Sequence, residues 1–342
     1  MQYGAKIIGW GRALPEKVVT NFDLEKLFET TDDWIVQRTG IKERRVVDPT
    51  KPEETAVSLG CRSALMALKS AKKYQGIEVK PEDIDLIICS TATGDFLFPS
   101  TACLIQSKLG ATKAAAFDIS AACTGFIYGL NTAYNFIQSG QCKNVLVIAV
   151  DLMSKFVDWS DRKTAIIFGD GAGAALITAT SQEKNCMHPF YIRSAGDEQC
   201  SLFLKNQGSH YPVAQKDITE TREMVFMDGP AVYEFAVKAV PDALDKACEL
   251  SGIKPEQIDY LVPHQANVRI INSAARRLGL SSDKVIVNIN RYGNTSAASI
   301  PIALDEALEQ GKIKYREDGN TLKIALVGFG AGLTWGATII EI

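Results

Sequence analysis

The sequence predicts an α/β protein of two similar halves, each a mixed sheet covered by helices, and three observations carry that prediction. The chain has 342 residues, too many for one ordinary core, which suggests two domains or one large duplicated α/β unit. Three pairs of segments repeat in the same order along the chain. Six stretches have helical periodicity and fall between short apolar runs.

The repeats place the elements. Lys80-Pro81-Glu82-Asp83-Ile84-Asp85-Leu86-Ile87 matches Lys254-Pro255-Glu256-Gln257-Ile258-Asp259-Tyr260-Leu261, each a turn into a buried strand. Phe117-Asp118-Ile119-Ser120 matches Val287-Asn288-Ile289-Asn290, each read as a short strand leading into a helix that starts with small residues. Gly169-Asp170-Gly171-Ala172-Gly173 matches Gly328-Phe329-Gly330-Ala331-Gly332, each between apolar runs. Helices are expected at 52–73, 100–109, 123–139, 231–250, 268–278 and 296–310. The early half is read as 1–180 and the late half as 230–342. Residues 181–229 are polar and aperiodic, with His188-Pro189 and Gly208-Ser209, and read as an excursion between the halves near a substrate channel.

Composition excludes several functions. A formal net charge of -3 gives no global attraction to nucleic acid or anionic membrane, so a charged partner would need a local patch. The N-terminus lacks a basic segment followed by an apolar core, and no secretory leader is expected. The uncharged run 324–340 is broken by Gly328, Gly330, Gly332 and Gly336, and reads as two buried strands around a glycine turn rather than a membrane span. Eight cysteines form no C-x-x-C pair and there are three histidines, so no metal site is expected and reduced thiols in the cytoplasm are the reading.

Three residues stand out. Cys123 lies among Ala121, Ala122 and Gly125 where the strand 114–119 hands over to a helix. Backbone N–H groups and the positive helix end there favour thiolate over thiol, although most cysteines are only small buried hydrophobes. Cys61, Cys89 and Cys103 fit that plainer role. His264 closes the strand 258–262 in Pro263-His264-Gln265-Ala266-Asn267, a position where sheet proteins often carry site residues; a satisfied core histidine fits equally. Asn294, in Arg291-Tyr292-Gly293-Asn294-Thr295-Ser296, has the setting of a helix cap. The repeat, however, puts its turn in the late half where the Cys123 turn stands in the early one.

With these motifs the chain resembles the β-ketoacyl-acyl-carrier-protein synthases III of fatty-acid biosynthesis over essentially its whole length. The resemblance includes Thr31-Asp32-Asp33-Trp34-Ile35, Arg38-Thr39-Gly40-Ile41, Ala121-Ala122-Cys123, Phe168 to Gly173, His264-Gln265-Ala266-Asn267, Gly293 to Pro301 and the Gly328 to Gly336 loop. It implies the thiolase fold, a layered α-β-α-β-α architecture with mixed five-stranded sheets. It further implies a triad of Cys123, His264 and Asn294, with backbone N–H groups of Cys123 and Ala331 as oxyanion hole. Ala331 stands where the family often has glycine. The terminal loop lacks the second cysteine of thiolases, and Asn294 stands where elongating synthases carry a second histidine.

The same resemblance implies a decarboxylating condensation of a short acyl-coenzyme A with malonyl carrier protein. The coenzyme is then a substrate, and no cofactor is expected. Trp34 and Arg162 would sandwich its adenine, Arg38 would meet its nucleotide end, and Gly229 and Asn267 would line its pantetheine arm, with Phe329 also among the substrate contacts. Phe98 would floor the primer pocket of a partner in a homodimer. Arg269, Arg276 and Arg277, seven and eight residues apart on one helix face, would dock the acidic carrier protein, although such charges usually mark a solvated face. Glu234 stands where a lysine of that patch is often found. Two rivals remain: a secondary-metabolism condensing or acyl-transferring relative, and a nucleotide-binding scaffold in which Gly169 to Gly173 cradles phosphate. That glycine run lacks a P-loop lysine and the G-x-G-x-x-G spacing.

Overall fold

The computed structural model describes residues 3–204, 224–316 and 320–342. The early half runs β1 (Gly4–Ala13), β2 (Val18–Thr20), α1 (Asn21–Leu24), α2 (Asp32–Thr39), β3 (Glu43–Arg45), α3 (Ala56–Gln75), β4 (Leu86–Ser90), α4 (Thr101–Leu109), β5 (Ala115–Ile119), α5 (Gly125–Gln138), β6 (Asn144–Leu152), α6 (Arg162–Ala165) and β7 (Asp170–Thr180). There follow β8 (Tyr191–Ser194), β9 (Leu202–Leu204), β10 (Val225–Met227), α7 (Gly229–Ser251), β11 (Tyr260–Pro263), α8 (Val268–Arg277), α9 (Ile289–Tyr292), α10 (Ser299–Glu309), β12 (Lys323–Gly330) and β13 (Thr334–Glu341).

The early sheet has the order β1-β7-β6-β4-β5 and the late one β11-β12-β13-β8. Four strands of each sheet correspond: β4 pairs parallel with β6 as β11 does with β12, and β6 pairs antiparallel with β7 as β12 does with β13. Both halves therefore repeat one winding. The late sheet has four ladder strands, and its fifth position is held by a single parallel bridge between Leu261 and Val285. The strand expected over 287–290 does not form, because Ile289–Tyr292 coils into α9. Asn288 N–H and Ile289 N–H both donate to the buried Gln265 Oε1, which holds that segment off the sheet.

One element moves between the halves. β8 lies in the segment read as an excursion, yet it pairs with β13 as β1 pairs with β7. The late half thus begins before residue 230. A four-residue strand flanked by polar residues is too short to show a clear period-2 pattern. Gly208 and Ser209 of the expected excursion lie outside the described residues.

The strands read as unbroken apolar runs because both faces are buried. In β6, Val145, Val147 and Ala149 face a central core with α5 and α10, while Leu146, Ile148 and Val150 face a core with α3 and α4. In β12, Ile324 and Leu326 join the central core, while Ala325, Val327 and Phe329 pack with α7 and α8. The result is five layers: α3/α4, sheet, α5/α10, sheet, α7/α8. The glycine run at β7 serves this packing. A Cβ on Gly173 would lie 2.6 Å from Pro301 Cγ and one on Gly171 2.8 Å from Ile302 Cδ1, so β7 and α10 meet where a phosphate would have to sit. The scaffold reading of that loop fails on this contact.

Candidate active site

β5 ends at Ile119, and a 3-10 turn over Ala122–Thr124 carries the chain into α5. Ala122 has φ of 44°, in the left-handed region that costs an L-residue about 1–2 kcal/mol. Residues held this way concentrate at functional sites. The turn sets Cys123 against the end of β12: a Cβ on Gly330 would fall 2.7 Å from the Cys123 backbone nitrogen, so only glycine admits this approach.

The residues 294–299 join the rest. Asn294 bridges to the early half, its N–H donating to Ile167 carbonyl at 2.9 Å and its carbonyl accepting from Gly169 N–H at 3.0 Å. Its Oδ1 accepts from Ser296 N–H at 2.8 Å, a turn bond rather than the expected helix cap, because Thr295 holds the N-cap position of the 3-10 turn Ser296–Ala298. That bond uses the oxygen, and Nδ2 carries no hydrogen bond among the described residues. Two residues on, Ser296 Oγ lies 3.4 Å from Cys123 Sγ. Three further on, Ser299 Oγ lies 2.6 Å from His264 Nδ1. One short segment therefore touches the thiol and the imidazole and carries the carboxamide.

His264 is fixed from several sides. Its N–H donates to Val327 carbonyl at 2.8 Å, and its ring meets Phe329 edge-on at 5.4 Å between centroids. Ser299 Oγ also accepts from Gln265 N–H at 3.2 Å. The Ser299 contact occupies Nδ1 and leaves Nε2, which carries no hydrogen bond among the described residues, as the free ring nitrogen. Burial pushes the imidazole pKa down to about 3, so the ring is neutral. Exposures are 7% for Cys123, 6% for Asn294 and 2% for His264, so all three are buried.

The thiol departs from the sequence expectation. Burial, and secondarily the Asp151 carboxylate, push the Cys123 pKa up to about 12 against the lowering bond from Ser296. Desolvation disfavours the charged form and outweighs the helix end, so the resting group is a thiol rather than the thiolate expected from the turn.

The expected coenzyme contacts fall in one region. Arg38 and Arg162 place Cζ 4.5 Å and 4.7 Å from the Trp34 ring centroid. A base between Trp34 and Arg162 needs about 7 Å, two van der Waals contacts, so the exposed Arg162 must swing out to admit one. Asn267 caps α8 through Arg269 N–H and donates to Arg38 carbonyl at 2.9 Å, tying the His264 motif to that corner. Gly229 opens α7 beside a cleft of about 750 Å³ lined by Asp158, Asp161, Lys163 and 224–230. Phe329 is a wall, buried against His264 and Phe235.

A family profile described as 3-oxoacyl-[acyl-carrier-protein (ACP)] synthase III matches residues 117–196, and its C-terminal counterpart matches 248–342. Over 337 residues the chain is 46% identical to the β-ketoacyl-[acyl-carrier-protein] synthase III of Caldanaerobacter subterraneus subsp. tengcongensis, covering 98% of this chain and 97% of that one. The chain belongs to the 3-oxoacyl-[acyl-carrier-protein] synthase III family. The crystal structure of the synthase III of Aquifex aeolicus VF5 superposes with a TM-score of 0.87 at 44% identity, over 99% of this chain and 100% of that one. The priming β-ketosynthase of the R1128 polyketide pathway superposes at 0.89 with 32% identity, over 100% and 97%. The fold is the thiolase fold, and the family chemistry is acyl-transferring condensation in fatty-acid synthesis.

Within this synthase fold the three arginines expected to dock a carrier protein are not equivalent. Arg277 is paired bidentately with Asp245 of α7, so its charge is spent within the molecule. The Arg269 side chain donates to Gln37 carbonyl, and neither it nor Arg276 has an ion pair among the described residues. Sequence reasoning missed Ser296 and Ser299, which lay inside a quoted motif without a role. It also missed Asp151, whose one signal was a lone acid ending the apolar run of β6.

Proposed function

We propose that this chain catalyses the decarboxylating condensation of a short acyl-coenzyme A with malonyl carrier protein, through an acyl-cysteine on Cys123, to start fatty-acid synthesis. The observation that carries the reading is the segment 294–299, which brings the Cys123 sulfur, the His264 ring and the Asn294 amide to one place. Cys123 attacks the thioester carbon, the coenzyme thiolate leaves, and one hard step becomes two. The backbone N–H groups of Cys123 and Ala331 hold the tetrahedral oxyanion, each such donor lowering the barrier by about 3–4 kcal/mol.

Malonyl carrier protein then loses carbon dioxide. The neutral His264, donating from Nε2, and Asn294, donating from Nδ2, hold the enolate oxygen. The enolate carbon attacks the acyl-cysteine, sulfur leaves, and 3-oxoacyl carrier protein forms. Decarboxylation supplies the carbanion, which suits a site whose imidazole is too weak a base to remove an α-proton. The coenzyme is a substrate in this scheme and no resident cofactor takes part.

Coenzyme entry runs along Trp34, Arg38, Arg162, Gly229 and Asn267, and carrier-protein docking falls to Arg269 and Arg276. The chain acts as a homodimer: Phe96, Leu97 and Phe98 are 61%, 72% and 86% exposed, an apolar patch of a kind that marks an interface, with Phe98 reaching the partner's primer pocket. All eight cysteines are free and no helix among the described residues is long and apolar enough to cross a membrane, which supports a cytoplasmic site of action.

Labelled acetyl-coenzyme A tests the reading: a thioester should form on Cys123, and malonyl carrier protein should then release carbon dioxide with 3-oxobutyryl carrier protein. No label on Cys123 would end the proposal. The likeness to the R1128 priming ketosynthase keeps a secondary-metabolism role as the second reading, favoured if acyl transfer proceeds without carbon dioxide release.

A further inference from the structure

The resting thiol needs somewhere to send its proton, and the residues assigned above do not supply it. His264 is engaged through Nδ1 by Ser299, and burial, which holds its pKa at about 3, makes it a poor base. What touches the sulfur is Ser296, which sits in the left-handed region with φ of 53°, a conformation a serine holds only when its surroundings impose it.

Behind Ser296 stands Asp151, fully buried at the end of β6. Its Oδ1 is well held, accepting from Ala92 N–H at 2.8 Å and Thr93 hydroxyl at 3.0 Å. Its Oδ2 is buried with no hydrogen-bond partner among the described residues, while the turn 296–298 packs against β6 and brings the Ser296 hydroxyl and the Ala297 amide near the carboxyl. No Lys or Arg pairs with it among the described residues. A buried carboxylate without a cation is costly to keep for structure alone, and burial raises its pKa, which suits a group that takes up a proton.

We propose that Cys123, Ser296 and Asp151 form a proton relay in which Asp151 Oδ2 takes the thiol proton through the Ser296 hydroxyl as Cys123 is acylated. The Sγ–H bond breaks toward Ser296 Oγ while the serine O–H proton passes to Oδ2, and the freed sulfur pair forms the bond to the thioester carbon. The coenzyme leaves as thiolate and takes its proton from solvent, the one proton the overall condensation consumes. When carbon–sulfur cleavage later releases product, the proton returns from Asp151 through Ser296 to Cys123. In between, the acid is neutral, so no buried negative charge opposes the forming enolate. Asp151 acts through Ser296 and does not itself touch substrate.

The inference rests on Cys123 being the nucleophile, and the test separates the two. Acetylation of Cys123 by acetyl-coenzyme A is followed by rapid quench and intact mass in the wild type, D151N, S296A and the double variant, with thermal melting to confirm folding. Asn can keep the bonds from Ala92 and Thr93, so D151N removes the proton sink while preserving the scaffold. D151N and S296A should each slow acetylation by about 10²–10⁴-fold, the range for general-base catalysis. The double variant should be no slower than either single one, because both break one relay. Variants loaded to completion by long incubation should release carbon dioxide from malonyl carrier protein in the first turnover at the wild-type rate, a split that a merely structural role would not give. Acetylation of D151N at or above the wild-type rate, or losses that multiply in the double variant, would overturn the relay. Should D151N not fold, S296A alone decides by the same split. No acetylation of the wild type would instead sink the nucleophile assignment.

Discussion

Gly330→Ala gives the sharpest check of the oxyanion geometry. The added Cβ would stand 2.7 Å from the Cys123 nitrogen, 3.2 Å from its Cβ and 3.3 Å from its Cα. Ordinary contact begins near 3.4 Å, so the Cys123 turn must retreat by about 0.7 Å, enough to spoil the aim of its N–H. Gly330 is not among the residues with positive φ, which makes the effect steric rather than conformational. Losing one oxyanion donor costs about 10²–10³ in rate, and a 1 Å misplacement about 10². Acetylation of G330A in single turnover should therefore fall by about 10²-fold. Overpacking costs about 1–3 kcal/mol, so the melting temperature should drop by a few degrees while the protein stays folded. A G330A enzyme that acetylates at the wild-type rate would refute the placement of the Cys123 N–H in the oxyanion hole.

Other consequences are open to measurement. His264 is held at about 3 against an ordinary 6.5, so the unfolded chain binds the extra proton first; the stability from this group is present above pH 6.5 and lost as pH falls toward 3. Denaturant titrations should show up to about 1.4 kcal/mol lost per pH unit in that window, a slope that H264A removes. S299A should free the imidazole tautomer and slow the decarboxylation half-reaction by about tenfold, a bias of about 1.4 kcal/mol, while acetylation keeps its rate. R277A should leave the KM for carrier protein unchanged, because Asp245 already holds that charge, whereas R269A/R276A should raise KM, weaken its salt dependence and leave kcat alone. F98D should convert a dimer to a monomer in light scattering.

Some of this was legible in the residues. The apolar runs of β6 and β12 announce strands buried on both faces, and the three ordered repeats announce a duplicated α/β frame, because local periodicity and a repeated winding are written directly in sequence. Cys123, His264 and Asn294 could be singled out because each ends an element at equivalent or facing places. What failed was less local. β8 carries too few residues for a period, and the strand expected at 287–290 was diverted by Gln265, some twenty residues earlier in the chain. The Arg277–Asp245 pair depends on how α7 lies against α8, which spacing along α8 cannot reveal.

The sequence by itself determined the duplicated winding, the family and the identities of the reactive groups, since those are properties of order and local pattern. Only the tertiary structure decided their chemical states. The thiol is a thiol because packing removes water from Cys123, the imidazole is neutral for the same reason and meets Ser299 through Nδ1, and Asp151 comes near the Cys123–Ser296 contact because β6 packs against the turn 296–298. Desolvation and hydrogen-bond direction arise from neighbours distant in the chain, so they exist only once the two halves have closed on each other.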